Sequence, residues 1–234
     1  TMRRVAHRAA DMIYEKLTGI PGVFGTKVAY VTARGTGDDR LYTLVVSDTD
    51  GENQFTIMES TDPIMSPAWS PDSRELAYVS FEGDAATIYV QTLRSGNRIK
   101  VSSRAGINGA PAFSPDGRKL VVTLGGLGGN LDIYVLDLAT RQFSRLTRHR
   151  AIDTEGTWAP DGRSIYFTSD RSGGPQVYRI EVGGGTAERV TFEGSYNARP
   201  RLSPDGKRVA LVHLDRGNYR IGVLDLDDKD LLIV

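Results

Sequence analysis

The spacing of apolar residues changes once near the start of the chain, and the change separates two kinds of element. Residues 2–18 place apolar side chains three or four positions apart, with charged residues between them, as one face of an α-helix does. Gly19 and Pro21 then supply the usual end of a helix. From Lys27 the period shortens to two in KVAYVTAR, and LYTLVVSD follows as a second strand. The pattern predicts one helix followed by β-structure.

One segment recurs four times and organises the rest of the chain. Its copies are PAWSPDSRELAYVSF, PAFSPDGRKLVVTLG, GTWAPDGRSIYFTSD and PRLSPDGKRVALVHL. Their Pro-Asp pairs begin at Pro71, Pro115, Pro160 and Pro204, so successive copies lie 44, 45 and 44 residues apart. A fixed period of this length, built from short strands, is typical of a β-propeller with four-stranded antiparallel blades. The sequence therefore predicts an all-β propeller preceded by one α-helix.

The strands within each repeat give the expected extent of the propeller. The first unit supplies three strands and lacks the innermost one, whereas the next three units contain all four strands. The fifth unit ends in a short strand near residues 231–234. We therefore expect residues 1–22 to be the last helix of a domain that is mostly missing, and residues 23–234 to form about five blades. A closed ring would need at least one more inner strand, because unpaired sheet edges are exposed otherwise.

The repeated Ser-Pro-Asp-Gly tetrapeptides are predicted to be turns and not catalytic elements. Proline fixes φ near −65° for the second turn position, and glycine accepts a positive φ later in the turn. Ser73 replaces this glycine in the second unit, where a positive φ would cost about 1–2 kcal/mol. Repetition of one tetrapeptide in every unit favours a structural role.

Composition and charge exclude several classes of function. Lys and Arg together number 29 and so do Asp and Glu, so no basic excess favours nucleic acid or an anionic membrane surface. The chain has no cysteine, which excludes disulfides, zinc thiolates and a cysteine nucleophile. No apolar run approaches the roughly 20 residues of a membrane span, so no direct membrane insertion is expected.

No motif in the sequence favours catalysis or a metal site. The three histidines, His7, His149 and His213, are far apart and lack metal-ligand spacing. The glycine-rich run at 125–129 lacks the Gly-Lys-Ser/Thr ending of a phosphate loop and is predicted to join two strands. No Gly-x-Ser-x-Gly element of a serine hydrolase is present. We expect no catalytic residue and no cofactor.

A turn at residues 48–51 is the one segment that resembles the start of a calcium loop. Asp48, Asp50 and Gly51 have the right spacing, but the next residues, 55–58, are predicted to form a strand and leave no room for the loop. A hairpin turn is therefore the prediction. A cation such as calcium in the central channel stays an open alternative.

The segments that lead into the innermost strands are the predicted binding surface. In an up-and-down blade they open on one face, and the Pro-Asp turns open on the other. Loops on a rigid scaffold commonly carry binding residues, although ordinary solvated loops are the alternative. Their residues are small and polar, which suits hydrogen bonding to an inserted peptide. The predicted partner-binding residues are Met65, Ser66, Asn108, Gly109, Ala110, Thr154, Glu155, Asn197, Ala198 and Arg199.

Seven segments spread over essentially the whole chain carry a family resemblance. They are HRAADMIYEKLTGIPGVFGTKVAYV, VSDTDGENQF, SPAWSPDSRELAYVSFE, NGAPAFSPDGRKL, LDIYVLDLATRQ, FTSDRSGGPQVYRI and GSYNARPRLSPDGK. On these segments the chain resembles the TolB family, periplasmic propeller proteins of the Tol-Pal cell-envelope system. The helix followed by LTGIPG and the ordered series of blades are the most specific part.

The resemblance implies an α/β N-terminal domain followed by a six-bladed propeller, so a sixth blade and the closing strand would be absent here. It implies a non-enzymatic adaptor in the periplasm, with a signal peptide upstream, that supports outer-membrane integrity and cell division. The implied partners are the peptidoglycan-associated lipoprotein Pal at the channel mouth, colicin translocation peptides on the same surface, and TolA through an N-terminal segment. By motif, Asn108, Gly109, Ala110, Thr154 and Glu155 would contact Pal.

An alternative of a different class is the substrate-gating propeller of a prolyl-oligopeptidase-like serine hydrolase. Propellers with this repeat also accompany peptidases, but such an enzyme would need a hydrolase domain beyond Val234. The predicted helix at residues 2–18 argues against it. A Gly-x-Ser-x-Gly element in the residues that follow would favour the hydrolase.

Overall fold

A computed structural model describes residues 2–83, 85–126 and 129–234, with the side chain of Asp38 excepted. The chain divides into two compact units, Thr1–Ile64 and Met65–Val234. Within the described residues the fold is a β-propeller of five antiparallel sheets preceded by one α-helix. The first sheet has three strands and the other four sheets have four each, as the strand count in the sequence predicted.

The first unit contains the helix and the three-stranded sheet. Their bounds are α1 (Met2–Thr18), β1 (Lys27–Arg34), β2 (Leu41–Asp48) and β3 (Phe55–Ser60), with a single 3₁₀ turn at Gly37–Asp39. The strands lie in the order β1-β2-β3. Gly19, at φ 72°, ends the helix in the left-handed conformation that its sequence predicted.

Helix α1 is held within its unit by polar contacts at its surface. The Asp11 carboxylate accepts the backbone N–H groups of Phe24 and Gly25 at 2.7 and 3.0 Å, and the Tyr14 ring meets the Phe24 ring edge-on. No residue of the helix is buried. The apolar stripe that predicted the helix therefore stays exposed in this unit.

Four four-stranded sheets follow, each a meander in sequence order. The second sheet contains β4 (Ile64–Trp69), β5 (Glu75–Ser80), β6 (Thr87–Thr92) and β7 (Arg98–Ser102); the third contains β8 (Ile107–Phe113), β9 (Lys119–Gly125), β10 (Leu131–Asp137) and β11 (Phe143–Arg145). The fourth contains β12 (Asp153–Trp158), β13 (Ser164–Ser169), β14 (Gln176–Glu181) and β15 (Glu188–Arg189); the fifth contains β16 (Asn197–Leu202), β17 (Arg208–Asp215), β18 (Asn218–Asp225) and β19 (Leu231–Ile233).

Successive sheets of the second unit pack face to face. The first strand of each sheet lies against the middle strands of the sheet before it: β8 contacts β5 and β6, β12 contacts β9 and β10, and β16 contacts β13 and β14. In β9, Leu120 and Val122 enter the core shared with the second sheet, and Val121 enters the core shared with the fourth. A strand buried on both faces is nearly continuous in apolar residues, which explains the run LVVTL in place of strict alternation.

The Ser-Pro-Asp-Gly segments form the turns between first and second strands. Gly117, Gly162 and Gly206 have φ between 69° and 72°, and Ser73 takes the same conformation at φ 58°, as its position predicted. In the third sheet the Ser114 hydroxyl donates to the Asp116 carboxylate at 2.6 Å. This hydrogen bond, together with the Arg118 backbone N–H, holds the pKa of Asp116 below its ordinary value.

We predict that replacing Ser114 by Ala raises the pKa of Asp116 toward its ordinary value of 3.8, because the hydroxyl is the largest cause of the shift. The folded-state pKa lies below the unfolded one. The stabilisation by this carboxylate is therefore present above the unfolded pKa and is lost as pH falls through the folded pKa. An NMR titration of the side-chain carboxyls measures the change. Asp205, whose partner is Ser203, is the internal control and should titrate as before; an unchanged Asp116 would contradict the prediction.

A second prediction concerns Gly156, which stands where three other repeats have proline. A Cβ at this position would lie 2.8 Å from Cγ2 of Val121, a fully buried core residue. We expect Gly156→Ala to lower the free energy of unfolding by about 1–3 kcal/mol through overpacking, as measured by urea denaturation. Gly183→Ala is the matched control, since no atom lies within 4 Å of its Cβ position. Equal stability of the two variants would show that the core accommodates the methyl group.

Candidate functional site

The predicted binding residues lie at the start of the first strands and not in loops before them. We call residues 64–66, 108–110, 153–155 and 197–199 the opening segments. In the third sheet β8 begins at Ile107, so residues 108–110 lie inside the first strand and not in the loop before it. β8 lies at the edge of its sheet, where proline is tolerated, so the strand extends on both sides of Pro111. The loop placement was therefore wrong.

Each opening segment ends in a residue of unusual backbone conformation. Ser66, Ala110, Glu155 and Arg199 all have φ between 44° and 57°, in the left-handed region that favours glycine. In three sheets the strand register shifts at this point, so two residues of the first strand face one residue of the second. This is a β-bulge, a feature often found beside functional sites. A non-glycine residue in this conformation costs on the order of 1–3 kcal/mol.

Two threonine hydroxyls hold these bulges against the preceding sheet. The backbone N–H of Glu155 donates to Thr123 Oγ1 at 3.2 Å, and that of Arg199 donates to Thr168 Oγ1 at 3.0 Å. Thr123 and Thr168 occupy equivalent positions of their second strands, β9 and β13. Each bulge is therefore fixed by a hydrogen bond between sheets, and not by its own sheet alone.

An ion pair joins the fourth and fifth sheets at the same place. The Arg199 guanidinium donates through Nε to Glu155 Oε1 at 2.6 Å, and Thr168 donates its hydroxyl to Glu155 Oε2 at 3.0 Å. The Arg199 side chain is 64% exposed and the Glu155 side chain 21%, so the pair lies at the surface. Burial lowers the pKa of Arg201 on the same strand, and the Glu155 charge opposes this effect. The structure thus brings two predicted residues, Glu155 and Arg199, into direct contact.

Two of the predicted binding residues are buried anchors. Asn108 is 1% exposed and accepts from Ser102 Oγ and the Arg104 backbone N–H, while its amide donates to the Arg104 carbonyl. Asn197 is fully buried and bonds the His213 ring, the Gln176 side chain and the Glu193 carbonyl. Because their polar atoms are engaged within the protein, both side chains fix the preceding loops and do not face solvent.

Asp153 occupies the same position in the fourth sheet and is also buried. Its carboxylate receives two hydrogen bonds of 2.8 Å from one guanidinium nitrogen of Arg171. A buried carboxylate needs such a partner, and removing the partner would leave an uncompensated charge. The first position of the opening segments in these three sheets is thus structural.

The remaining predicted residues differ in exposure. Met65, Ser66 and Arg199 are exposed, and Ala198 is buried. Gly109, Ala110, Thr154 and Glu155 are half-buried. The Thr154 hydroxyl lies 3.3 Å from the Thr123 hydroxyl, at the bulge described above. Apart from the buried Ala198, the second and third positions therefore supply the accessible part of the opening segments.

The other motifs that the sequence singled out have structural partners. Asp48 bonds the side chains of Lys27 and Asn53, and Asp50 bonds those of Arg3 and His7, within the hairpin turn that was predicted. Leu127 and Gly128 of the glycine-rich run lie outside the described residues. Among the residues searched, no group of three or more His, Cys, Asp or Glu side chains could hold a metal ion. No helix in the described part is long and apolar enough to cross a membrane.

Sequence reasoning missed Thr123 and Thr168. The signal was present in the repeat, because the equivalent second-strand positions are Val79, Thr123, Thr168 and Val212. Hydroxyls in an otherwise apolar column indicate a specific hydrogen bond, since a buried hydroxyl needs a partner. Column-by-column comparison of the second strands would have identified them.

We predict that Thr168→Val destabilises the protein by about 1–3 kcal/mol, because it leaves the Arg199 N–H without its acceptor. Valine keeps the shape, and Val79 shows that the strand accepts it. Thr168→Ser keeps the hydroxyl and is the matched control. Urea denaturation gives the stability, and hydrogen exchange of the Arg199 amide reports the local bond. If valine and serine variants behaved alike in both measurements, the hydroxyl would have no role in holding the bulge.

Two curated proteins and one solved structure that are similar to this chain over most of its length are all TolB proteins. The Tol-Pal system protein TolB of Bordetella pertussis is 50% identical over 187 residues, which are 80% of this chain and 42% of that protein. The corresponding protein of Bordetella parapertussis is also 50% identical and is covered over 41% of its length. The crystal structure of TolB from Acinetobacter baumannii superposes with a TM-score of 0.92 at 48% identity, covering 99% of this chain and 58% of that one. The chain spans about four-tenths of the length of the curated relatives it matches.

More distant solved structures share the fold alone. Among them is a prolyl endopeptidase structure with a TM-score of 0.60 and 20% identity, which covers 90% of this chain and 33% of that one. Identity this low carries no argument about catalysis. The model of the PD40 family, described as the TolB beta propeller domain, matches residues 14–234. This chain therefore belongs to the TolB β-propeller domain family.

Proposed function

We propose that this chain is the binding part of a non-enzymatic adaptor that captures Pal in the periplasm, within the Tol-Pal system named by its relatives. The observation that carries the proposal is the close likeness to Tol-Pal system TolB proteins over most of the chain. Through Pal, the adaptor would support outer-membrane integrity and cell division. The function needs no cofactor, because recognition of a polypeptide requires only surface groups in fixed positions.

The opening segments are the proposed contact surface. Their third residues present a recurring, strained backbone conformation, and strain of this kind is retained where the surrounding structure fixes it and often where function uses it. The Glu155–Arg199 pair places a carboxylate and a guanidinium side by side at the surface. Rigid, pre-positioned polar groups reduce the entropy lost when a partner binds.

The accessible positions Met65, Ser66, Gly109, Ala110, Thr154, Glu155 and Arg199 are the residues proposed to face Pal. Asn108 and Asn197 are buried and would not contact Pal themselves. They would hold the loops before the bulges in place. Ala198 is buried beside them and would contribute through its backbone. Colicin translocation peptides would use the same surface, and TolA would engage a segment outside this chain.

We predict that Thr154→Arg and Ala110→Asp each weaken Pal binding by about 2 kcal/mol, or nearly thirtyfold in Kd. Both changes add bulk and charge at half-buried positions of the contact surface. Titration calorimetry with soluble Pal measures the affinity, and circular dichroism checks that each variant remains folded. Unchanged affinity of two folded variants would refute the assigned surface.

Lys207→Glu is the control for surface charge. Lys207 is exposed and lies in the turn after β16, at the opposite end of that strand from the opening segment. It should leave Pal affinity unchanged. A loss of binding equal to that of Thr154→Arg would place Pal elsewhere on the molecule, and no binding by the unmodified chain would overturn the proposed function itself.

A further inference from the structure

A cavity of about 480 Å³ lies beside the third sheet. Its walls are formed by the loop before β8, by strands β10 and β11, and by the described residues Gly126, Gly129 and Asn130 between β9 and β10. This volume lies in the range of small-ligand sites. The polar residues that line it and matter here are Arg104, Asn130, Asp132, Tyr134 and Arg145.

The walls of the cavity are held by specific contacts. The Asn108 side chain bonds both the N–H and the carbonyl of Arg104, which fixes the loop from below. Gly106 of that loop, at φ 94°, approaches the hairpin so closely that a Cβ would lie 2.0 Å from the Gly125 carbonyl oxygen. Asn130 donates its side-chain amide to the His149 carbonyl at the other wall. The cavity is thus a feature of the fold and not a gap between mobile side chains.

The charges in the cavity leave one cation uncompensated. Asp132 is 5% exposed and pairs with Arg145 through a 2.6 Å hydrogen bond, so these two charges cancel. The Arg104 guanidinium stacks over the Phe143 ring, with Cζ 5.0 Å from the ring centre, and pairs with no carboxylate among the described residues. This cation–π contact restrains the guanidinium while leaving N–H groups free to donate. The described residues that line the cavity therefore carry a net charge of plus one.

Tyr134 also lines this cavity and carries a hydroxyl donor. The Tyr134 hydroxyl has no hydrogen-bond partner in the part of the chain that the structure describes, although the ring is half-buried against the core between the second and third sheets. A planar guanidinium and one hydroxyl suit a planar, singly charged acceptor with two oxygens. Carboxylate has this geometry and binds arginine through two parallel hydrogen bonds. A phosphate dianion would leave excess negative charge here.

We propose that this cavity is a carboxylate-binding site, with Arg104 as the charge partner and the Tyr134 hydroxyl as a second donor. The carboxylate belongs either to an acidic side chain of a polypeptide or to a free small carboxylic acid; the two share the chemistry that the site recognises. None of the described residues that line it is among those proposed to face Pal.

The test is an NMR titration of the ¹⁵N-labelled 234-residue chain with the peptide Ac-Gly-Glu-Gly-amide. We expect shifts of the Arg104 Nε–H signal and of amides at residues 104–106. Arg104→Gln should weaken binding about tenfold or more, as expected for loss of a charge-assisted hydrogen bond. Tyr134→Phe, which keeps the ring in the core, should weaken it severalfold. Arg118→Gln, at an exposed arginine in the turn at the opposite end of β9, should have no effect.

Three further ligands show whether the bound carboxylate comes from a polypeptide or from a small acid, and whether the site recognises a carboxylate at all. Equal binding of free glutarate would assign the site to small carboxylates, and binding of the peptide alone would assign it to polypeptide side chains; both outcomes support a carboxylate site. Equal binding of Ac-Gly-Gln-Gly-amide, tighter binding of inorganic phosphate, or unchanged affinity in Arg104→Gln would overturn it. The proposal would also fail if no ligand shifted these signals at millimolar concentration.

Discussion

The fold of residues 65–234 depends on sheets that are apolar on both faces. Leu120 and Val121 are neighbours in one strand, yet they enter different cores, one shared with the second sheet and one with the fourth. A sheet of this kind cannot bury its surface alone, so each sheet is stable only between its neighbours. The first strand carries much of this contact, because it lies against the middle strands of the preceding sheet.

The bulges in the first strands follow from this arrangement. Each first strand forms hydrogen bonds within its own sheet and also packs on the preceding sheet. An extra residue in the strand changes the direction of its side chains, so that both sets of contacts can form. The cost of the left-handed conformation at Ala110, Glu155 or Arg199 is offset by the surrounding packing and, for the last two, by a threonine hydroxyl of the preceding sheet. Regular repetition therefore produces an irregular backbone at the same position in each of the four four-stranded sheets.

The sequence predicted the parts of the fold that repeat with a fixed period. The helix bounds, the missing first strand of the first sheet, the Pro-Asp turns and the positive φ of Ser73 all agree with the structure. Strand starts were less predictable, because proline marks a break in a central strand but is tolerated in an edge strand such as β8. Burial of Asn108 and Asn197 was also hidden from the sequence, since a polar residue beside a loop is commonly exposed.

The residues with individual roles are those that interrupt the repeat. Thr123 and Thr168 place hydroxyls in a column that is otherwise valine, and Glu155 and Arg199 place opposite charges in a column that holds Ser66 and Ala110 elsewhere. The repeat fixes where these positions lie in space, and the departures from it determine their chemistry.

Asn108 links the loop that carries Arg104 to the opening segment of the third sheet. Its side chain fixes the loop that carries Arg104, and its backbone begins the segment that ends in the Ala110 bulge. A change in that loop would have to be accommodated by a buried amide whose hydrogen bonds are already made, because breaking them without replacement is costly. The position of the Arg104 loop and the geometry of the neighbouring opening segment are therefore set by the same buried side chain.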